Sequence, residues 1–383
     1  MTDDSPFDPV AEDPMDRVDL AIADVAAGRM VILVDDEDRE NEGDLVFAAE
    51  KVTPELINFM AVHARGLICL SLTGAQIERL GLSMMAANNQ SLYQTAFTVS
   101  IEARDGVTTG ISAADRSHTV RVAIAPDATP RSVVTPGHMF PLRCRQGGVL
   151  ERVGQTEGSV DLARMAGLDP SAVICEIMNP DGTMARRPEL EAFGREHGIR
   201  IVSVADIIKY RMRNERVVER EHEGVLQIAD LGDWRIGMWR SMTTRDAHMA
   251  VWKGDLGPDD TLVRVQTAPP PWSLFGANAS TLAGPARSAL QQIDQAGRGA
   301  LVFMHCSNTP DGMSMQFCRD LGIEVPDAPG RANADQLRDL GTGCQILADL
   351  GLRRLRLLTS STRPIVGIEA YGLEIVDRVP LNG

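Results

Sequence analysis

Between Val31 and Glu50 the chain runs apolar, then acidic, then apolar: Val31 to Val34, the segment Asp35 to Asp44, and Leu45 to Ala49. Two short apolar runs this close read as neighbouring strands joined by a turn. Upstream, Val18, Ile22 and Val25 recur at helical spacing over Asp16 to Ala27, and Gly28 stops that helix. Thr53-Pro54 supplies an N-cap with proline at the first helical position, and Gly66 ends the helix that follows. His63 and Arg65 then lie on its last turn, ahead of a buried strand Leu67 to Leu72. The pattern continues with strands at Thr95 to Ile101, Ala172 to Met178 and Ile199 to Val204. Helices are expected at Gly158 to Ala166, with Thr156 in the N-cap place, at Pro188 to His197, and through Arg213 with Asp206 as cap.

Strands alternating with helices predict a layered α/β domain. The periodicity fails over Asn214 to Gly224 (NERVVEREHEG), which marks a domain boundary. The division is then a flexible tail at 1–13, a first domain at 14–214, a linker at 215–223 and a second domain at 224–383. The second carries strands at Thr261 to Gln266, Ala300 to His305 and Leu355 to Thr359, and helices at Pro285 to Ala296 and Ala334 to Leu350. The fold class expected is α/β (α+β) in two domains.

Composition narrows the functions. With 44% hydrophobic residues in 383 there is material for two cores. No run of about 20 apolar residues occurs, and the acidic, proline-containing N-terminus lacks the chemistry of a targeting peptide. A net charge of −15 argues against nucleic acid or anionic membranes as partners. Six scattered cysteines without a C-x-x-C pair indicate neither a disulfide framework nor a zinc ribbon, and suit a reducing cytoplasm.

Asp35 to Asp44 holds seven carboxylates and one cation, Arg39. A solvated acidic loop would explain it. So would a site for a divalent cation and a phosphorylated or enediolate ligand, because hard oxygen donors stand beside a guanidinium at strand ends. Gly106 to Ser112 (GVTTGIS) sets glycines and hydroxyls before a helix, where backbone N–H groups can meet a phosphate. His138 is expected on a proline-bounded loop, Thr135 to Pro141, displayed for acid–base work. Glu176 interrupts an apolar strand and needs a partner there. Cys69, inside its strand, reads most simply as a small core residue.

The acidic hairpin, HARGLICLSL, GVTTGISAADR, TPGHMFPLR, ERVGQTEGSVDLARMAGL and VICEIMNPDGTMARRPEL occur in this order. Over residues 14–213 the chain thereby closely resembles 3,4-dihydroxy-2-butanone 4-phosphate synthase. The resemblance implies a magnesium-dependent homodimer of the riboflavin pathway that converts D-ribulose 5-phosphate to L-3,4-dihydroxy-2-butanone 4-phosphate and formate. It implies that Arg39, Asp44, Thr109, Arg152 and Thr156 bind the sugar phosphate, that Glu40 binds both substrate and metal, and that His138 and Glu176 transfer protons. It also brings Cys69 near the substrate. The family's second metal-ligating histidine is Gln155 here. A glutamine oxygen suits Mg²⁺, with Mn²⁺ open, or the site is weakened.

From about Gly224 to Pro380 the chain more faintly resembles GTP cyclohydrolase II, through LVRVQT, LFG, ALVFMH and CQILADLGLRRLRLLTSST. That family's three zinc cysteines correspond to Pro269, Ser280 and Leu282, and its Q-E-G-R-G segment to Cys306 to Pro310. Cys306, Cys318 and Cys344 lack ligand spacing, so no zinc and no GTP ring opening are expected. The expectation is a synthase with a degenerate second domain. The alternatives are a bifunctional enzyme or a non-catalytic binding protein.

Overall fold

The apolar runs become the inner strands of a mixed sheet in a computed structural model, which describes residues 8–35, 39–267, 283–304, 333–361 and 368–381. β1 (Val31–Val34) and β2 (Gly43–Ala48) are antiparallel. β2 pairs with β6 (Ser171–Glu176), and β6 with β3 (Cys69–Leu72), again antiparallel. β3 runs parallel to β5 (Val133–Arg143), β4 (Ile101–Ala103) closes one edge, and β7 (Arg200–Ser203) lies parallel to β1 at the other. The order is β4-β5-β3-β6-β2-β1-β7. β1, β2 and β3 are buried at every position, which is why they read as continuous apolar runs and not as alternations.

Ile32, Leu45, Phe47, Leu70 and Cys175 form one core with α2 (Pro54–Phe59) and α4 (Ala113–Ile124). The opposite face, carrying Asp44 and Glu176, is covered by α5 (Gln155–Met165), which also packs on α1 (Pro14–Ala26).

Several local expectations shift. Thr53 caps α2 as expected, its hydroxyl accepting from Leu56 N. The helix then runs through a π-turn, Met60–Ala64, to Arg65, whose φ of 72° makes it the left-handed terminus in place of Gly66. Its guanidinium donates to the His63 and Met178 carbonyls and holds it there. Ser203, not Asp206, caps Val204–Asn214, and Asp206 instead forms a two-point ion pair with Arg17. The strand expected at Thr95 to Ile101 begins only at Ile101. The N–H groups before it alternate between neighbours, Thr98 to Pro141 and Val99 to Ser83, so no continuous ladder forms.

The loop expected at Thr135 to Pro141 is part of β5. Met139 lies opposite Ile101 and Val134 opposite Glu102, so Thr135 to His138 bulge out between two consecutive partners.

The first compact unit ends at Tyr210 and the second begins at Arg211. The second has its own seven-stranded sheet, β14-β13-β11-β12-β10-β9-β8, in which β10 is Ala247–Lys253 and β14 is Glu374–Val379. The expected strands correspond to β11 (Thr261–Thr267), β12 (Gly299–Met304) and β13 (Arg354–Leu358), and the helices to Ala283–Ala296 and Asn333–Asp349. The stretch read as a linker is largely β8 (Val218–Ile228), paired to β9 (Gly232–Ser241) along its length. As an edge strand exposed on most positions, it shows no apolar periodicity. Ion pairs replace it: Arg220 with Glu223 and Asp349, and Arg240 with Glu221. His305, Cys306 to Pro310, Cys318, Pro269, Ser280 and Leu282 lie outside the described residues.

Candidate active site

The register of β2 against β6 sets Asp44 directly opposite Glu176. Cys69 faces Ile174, two residues before Glu176, so the thiol and both carboxyls share the face beneath α5. Asp44 is 4% exposed. Burial first, then the charges of Glu176, Glu40, Asp35 and Glu42, push its carboxyl well above the ordinary value, toward the protonated form. Glu176 Oε2 accepts from Leu67 N at 2.8 Å. Gly66 makes room for this arrangement: a Cβ there would stand 2.4 Å from the Glu176 carbonyl oxygen and 2.6 Å from Oε2. Burial, with Glu176 and Asp44 adding to it, raises the Cys69 thiol well above its ordinary value. Cys69 therefore sits beside the carboxylates as a thiol and not as a thiolate nucleophile.

Above the pair, Arg39 gathers three acceptors. Nη1 donates to Asp35 Oδ2 at 2.7 Å and Gln155 Oε1 at 3.1 Å, and Nη2 meets Glu40 Oε1 at 2.8 Å. Burial raises the Glu40 carboxyl; Arg39 and Arg152 oppose the rise, while Asp35 and Glu176 add to it. Arg152 donates from Nη1 to Glu157 Oε2 at 2.6 Å and from Nη2 to the Tyr93 carbonyl at 3.0 Å. Tyr93 in turn donates its hydroxyl to the Arg39 carbonyl at 2.8 Å and lies 5.1 Å beneath its guanidinium. One tyrosine thus ties both site arginines, a link that no sequence pattern signalled.

The expected start of α5 is corrected. Gly154 is its cap and Gln155 its first residue, so Thr156 lies inside the first turn and is buried with Gln155 and Glu157. Glu157 can be buried there because Arg152 and the Arg145 N–H satisfy its carboxylate. The Gln155 Nε2 atom is buried with no hydrogen-bond partner among the described residues. Asp36, Glu37 and Asp38 lie outside those residues.

His138 projects from the β5 bulge with 44% of its side chain exposed, and its Nδ1 lies 2.7 Å from Glu102 Oε2. The loop expected to offer N–H groups to a phosphate is partly filled from within. The Asp115 carboxylate accepts from Thr108 N, Thr108 Oγ1 and Gly110 N, and these bonds, the Thr108 hydroxyl foremost, hold it down at about 2. Thr109 itself is exposed. Among the described residues no hydrogen bond or ion pair joins the histidine to the carboxylate cluster.

Oxygen donors in excess of cations fit a hard divalent ion. Gln155 Oε1 spends one lone pair on Arg39 and keeps a second. Among the described residues no three His, Cys, Asp or Glu side chains converge as a metal cage. Two facing carboxyls, a displayed imidazole and two tethered arginines are the groups with which an enzyme can move protons on an anionic, oxygen-rich substrate.

Comparison with known proteins gives that class its particulars. The family model for 3,4-dihydroxy-2-butanone 4-phosphate synthase matches residues 19–210, and that for GTP cyclohydrolase II matches 219–380. The 3,4-dihydroxy-2-butanone 4-phosphate synthase of Pseudomonas aeruginosa is 46% identical over 367 residues, spanning 96% of this chain and 99% of its own. Riboflavin biosynthesis protein RibBA of Aquifex aeolicus is 46% identical over 374 residues, spanning 95% and 92%. The crystal structure of RibBX, a two-domain 3,4-dihydroxy-2-butanone 4-phosphate synthase from A. baumannii, superposes with a TM-score of 0.77 at 39% identity, covering 96% of this chain and 99% of that one. The chain belongs to the 3,4-dihydroxy-2-butanone 4-phosphate synthase family, with a GTP cyclohydrolase II domain fused behind the synthase domain, and its place is in riboflavin biosynthesis.

Proposed function

We propose that the first unit converts D-ribulose 5-phosphate to L-3,4-dihydroxy-2-butanone 4-phosphate and formate by proton transfers through Glu176, Asp44 and His138. The observation that carries this is Asp44 opposite Glu176 under α5. Burial and the neighbouring charges raise the Asp44 carboxyl and favour its protonated form, which suits it to act as the acid with Glu176 beside it as the base. The two products together contain every atom of the substrate, so the conversion needs proton movement and bond rearrangement but no external oxidant. An enediol has to be formed and stabilised on the way. Arg39 and Arg152, held by Tyr93, supply positive charge for the phosphate, with Thr109 and Thr156 as further substrate contacts.

A divalent cation, Mg²⁺ with Mn²⁺ as a substitute, would neutralise charge on adjacent substrate oxygens. Glu40 and Gln155 are the residues of this chain that would hold it. The working form is a homodimer. Leu92 is 85% exposed, and the exposed Met85 and Ile111 share the loops around Tyr93 and Thr109. Among the described residues no helix is long and apolar enough to cross a membrane, and Cys69, Cys144, Cys175 and Cys344 are free, which suits the reducing cytoplasm. The second unit carries no GTP cyclohydrolase chemistry in this reading, because the chain has Pro269, Ser280 and Leu282 where three zinc thiolates are expected.

The test is formate release from ribulose 5-phosphate with and without Mg²⁺, comparing the native protein with Glu40→Ala and Gln155→His. Native turnover that Glu40→Ala abolishes supports the reading; activity confined to Gln155→His overturns the glutamine ligand. Stoichiometric zinc together with formate release from GTP would instead establish a bifunctional enzyme.

A further inference from the structure

We infer that Glu102 is a positioning residue for His138, fixing its tautomer so that Nε2 is the proton acceptor. This deepens the reaction proposed above and rests on it only where turnover is measured. Glu102 stands on β4 opposite the base of the β5 bulge, with its side chain 11% exposed, and its Oε2 lies 2.7 Å from His138 Nδ1. A carboxylate can only accept, so the Nδ1 proton is held in that bond and the free lone pair of the neutral ring is left on Nε2. When the ring takes up a second proton, the same carboxylate stabilises the imidazolium.

Two glycines hold the pair in place. A Cβ on Gly110 would come within 2.0 Å of Glu102 Oε1, and one on Gly137 within 2.1 Å of the Ile101 carbonyl and 2.4 Å of Glu102 N. The carboxylate is therefore gripped by bare backbone on one side, and the bulge presses on β4 from the other. Its second oxygen, Oε1, is buried with no hydrogen-bond partner among the described residues. A buried carboxylate spending its only side-chain bond on an imidazole is an arrangement that core packing alone does not call for. The other titratable groups around the loop are otherwise engaged. Asp115 is taken up by Thr108 and Gly110, and His118 Nε2 faces the Asp105 carbonyl at 2.9 Å. Glu102 is thus the one carboxylate bonded to His138 among the described residues.

The experiment has two readouts on the full chain. In ¹⁵N-histidine spectra at pH 8, His138, assigned through His138→Ala, is expected as the Nδ1–H tautomer in the native protein and as a mixture in Glu102→Gln. Native protein showing the Nε2–H form overturns the inference even if no variant folds. For formate release, Glu102→Gln is expected to lower kcat by roughly 10² to 10⁴-fold, with KM within about three-fold. The acidic limb of its pH profile moves to lower pH, and Glu102→Asp recovers part of the rate. Combining Glu102→Gln with His138→Ala should cost no more than His138→Ala alone. Additive losses, or an unmoved pH limb, mean that Glu102 acts only in packing. If the native protein releases no formate, the reaction assignment fails, while the tautomer measurement still decides the role of Glu102.

Discussion

Replacing Asp44 with asparagine should make the cation-free protein more stable while destroying its activity. Two ionised carboxylates about 5 Å apart repel by about 3 kcal/mol at an effective dielectric near 20. Holding a proton on Asp44 avoids that cost but replaces it with another, at most about 4 kcal/mol at pH 7, since each pH step above the ordinary value of 3.8 adds about 1.4 kcal/mol. Asparagine keeps the shape without the charge and loses about 1 kcal/mol through an imperfectly bonded buried amide. The net gain is about 2 kcal/mol, a rise in Tm of roughly 4–8 °C for a unit of this size. The folded value of Asp44 lies above its unfolded one, so native stability falls as pH rises from about 4 until the folded value is passed. The variant therefore shows no advantage near pH 4 and a growing one at pH 6 and 8.

The assay is thermal unfolding in chelator at those three pH values. All four tryptophans, Trp234, Trp239, Trp252 and Trp272, belong to the second unit. A transition seen by circular dichroism but silent in tryptophan fluorescence is then that of the first unit. A gap that does not change with pH, or a variant less stable at pH 8, would refute the reasoning from repulsion.

Two further substitutions probe the surroundings. Gly66→Ala places a methyl 2.4 Å from the Glu176 backbone oxygen, where only main-chain movement can relieve it; a loss of roughly 1–3 kcal/mol is expected by denaturant titration, with a fall in kcat. Tyr93→Phe removes the hydroxyl bond to the Arg39 carbonyl. It should raise KM for ribulose 5-phosphate by about five-fold while leaving kcat within about two-fold, because about 1 kcal/mol of arginine positioning is lost and no proton-transferring group is touched.

Strands that are buried on both faces were legible in the sequence because nothing polar interrupts them, and Glu176 was legible because it does. The β8 edge strand was not, since charged pairs with β9 and Asp349 replace the apolar alternation that marks a half-buried strand. Thr156 was misplaced by two positions because glycine can cap a helix as well as threonine, and Gly154 does so here. Glu102 stayed hidden because the strand was placed too early, ending at Ile101, so the acid fell outside it. The signal was the one that exposed Glu176, a carboxylate within an apolar strand. Tyr93 could not be found from sequence at all. Its value lies in contacts with residues far along the chain, and the loop around it has no period.

The pairing of Asp44 with Glu176 has a consequence for how this enzyme can change. Their separation is set by the backbone ladder between β2 and β6, which works as a gauge renewed each time the chain folds. Lengthening the connections on either side of those strands leaves the gauge untouched. Deleting a single residue within β2 does not. A one-residue slip turns Asp44 onto the face of Leu45 and Phe47 and leaves Gly43 or Leu45 opposite Glu176, with no carboxyl there. The loops around the site are free to drift, while the interval between Asp44 and Glu176 is locked to the pitch of the sheet.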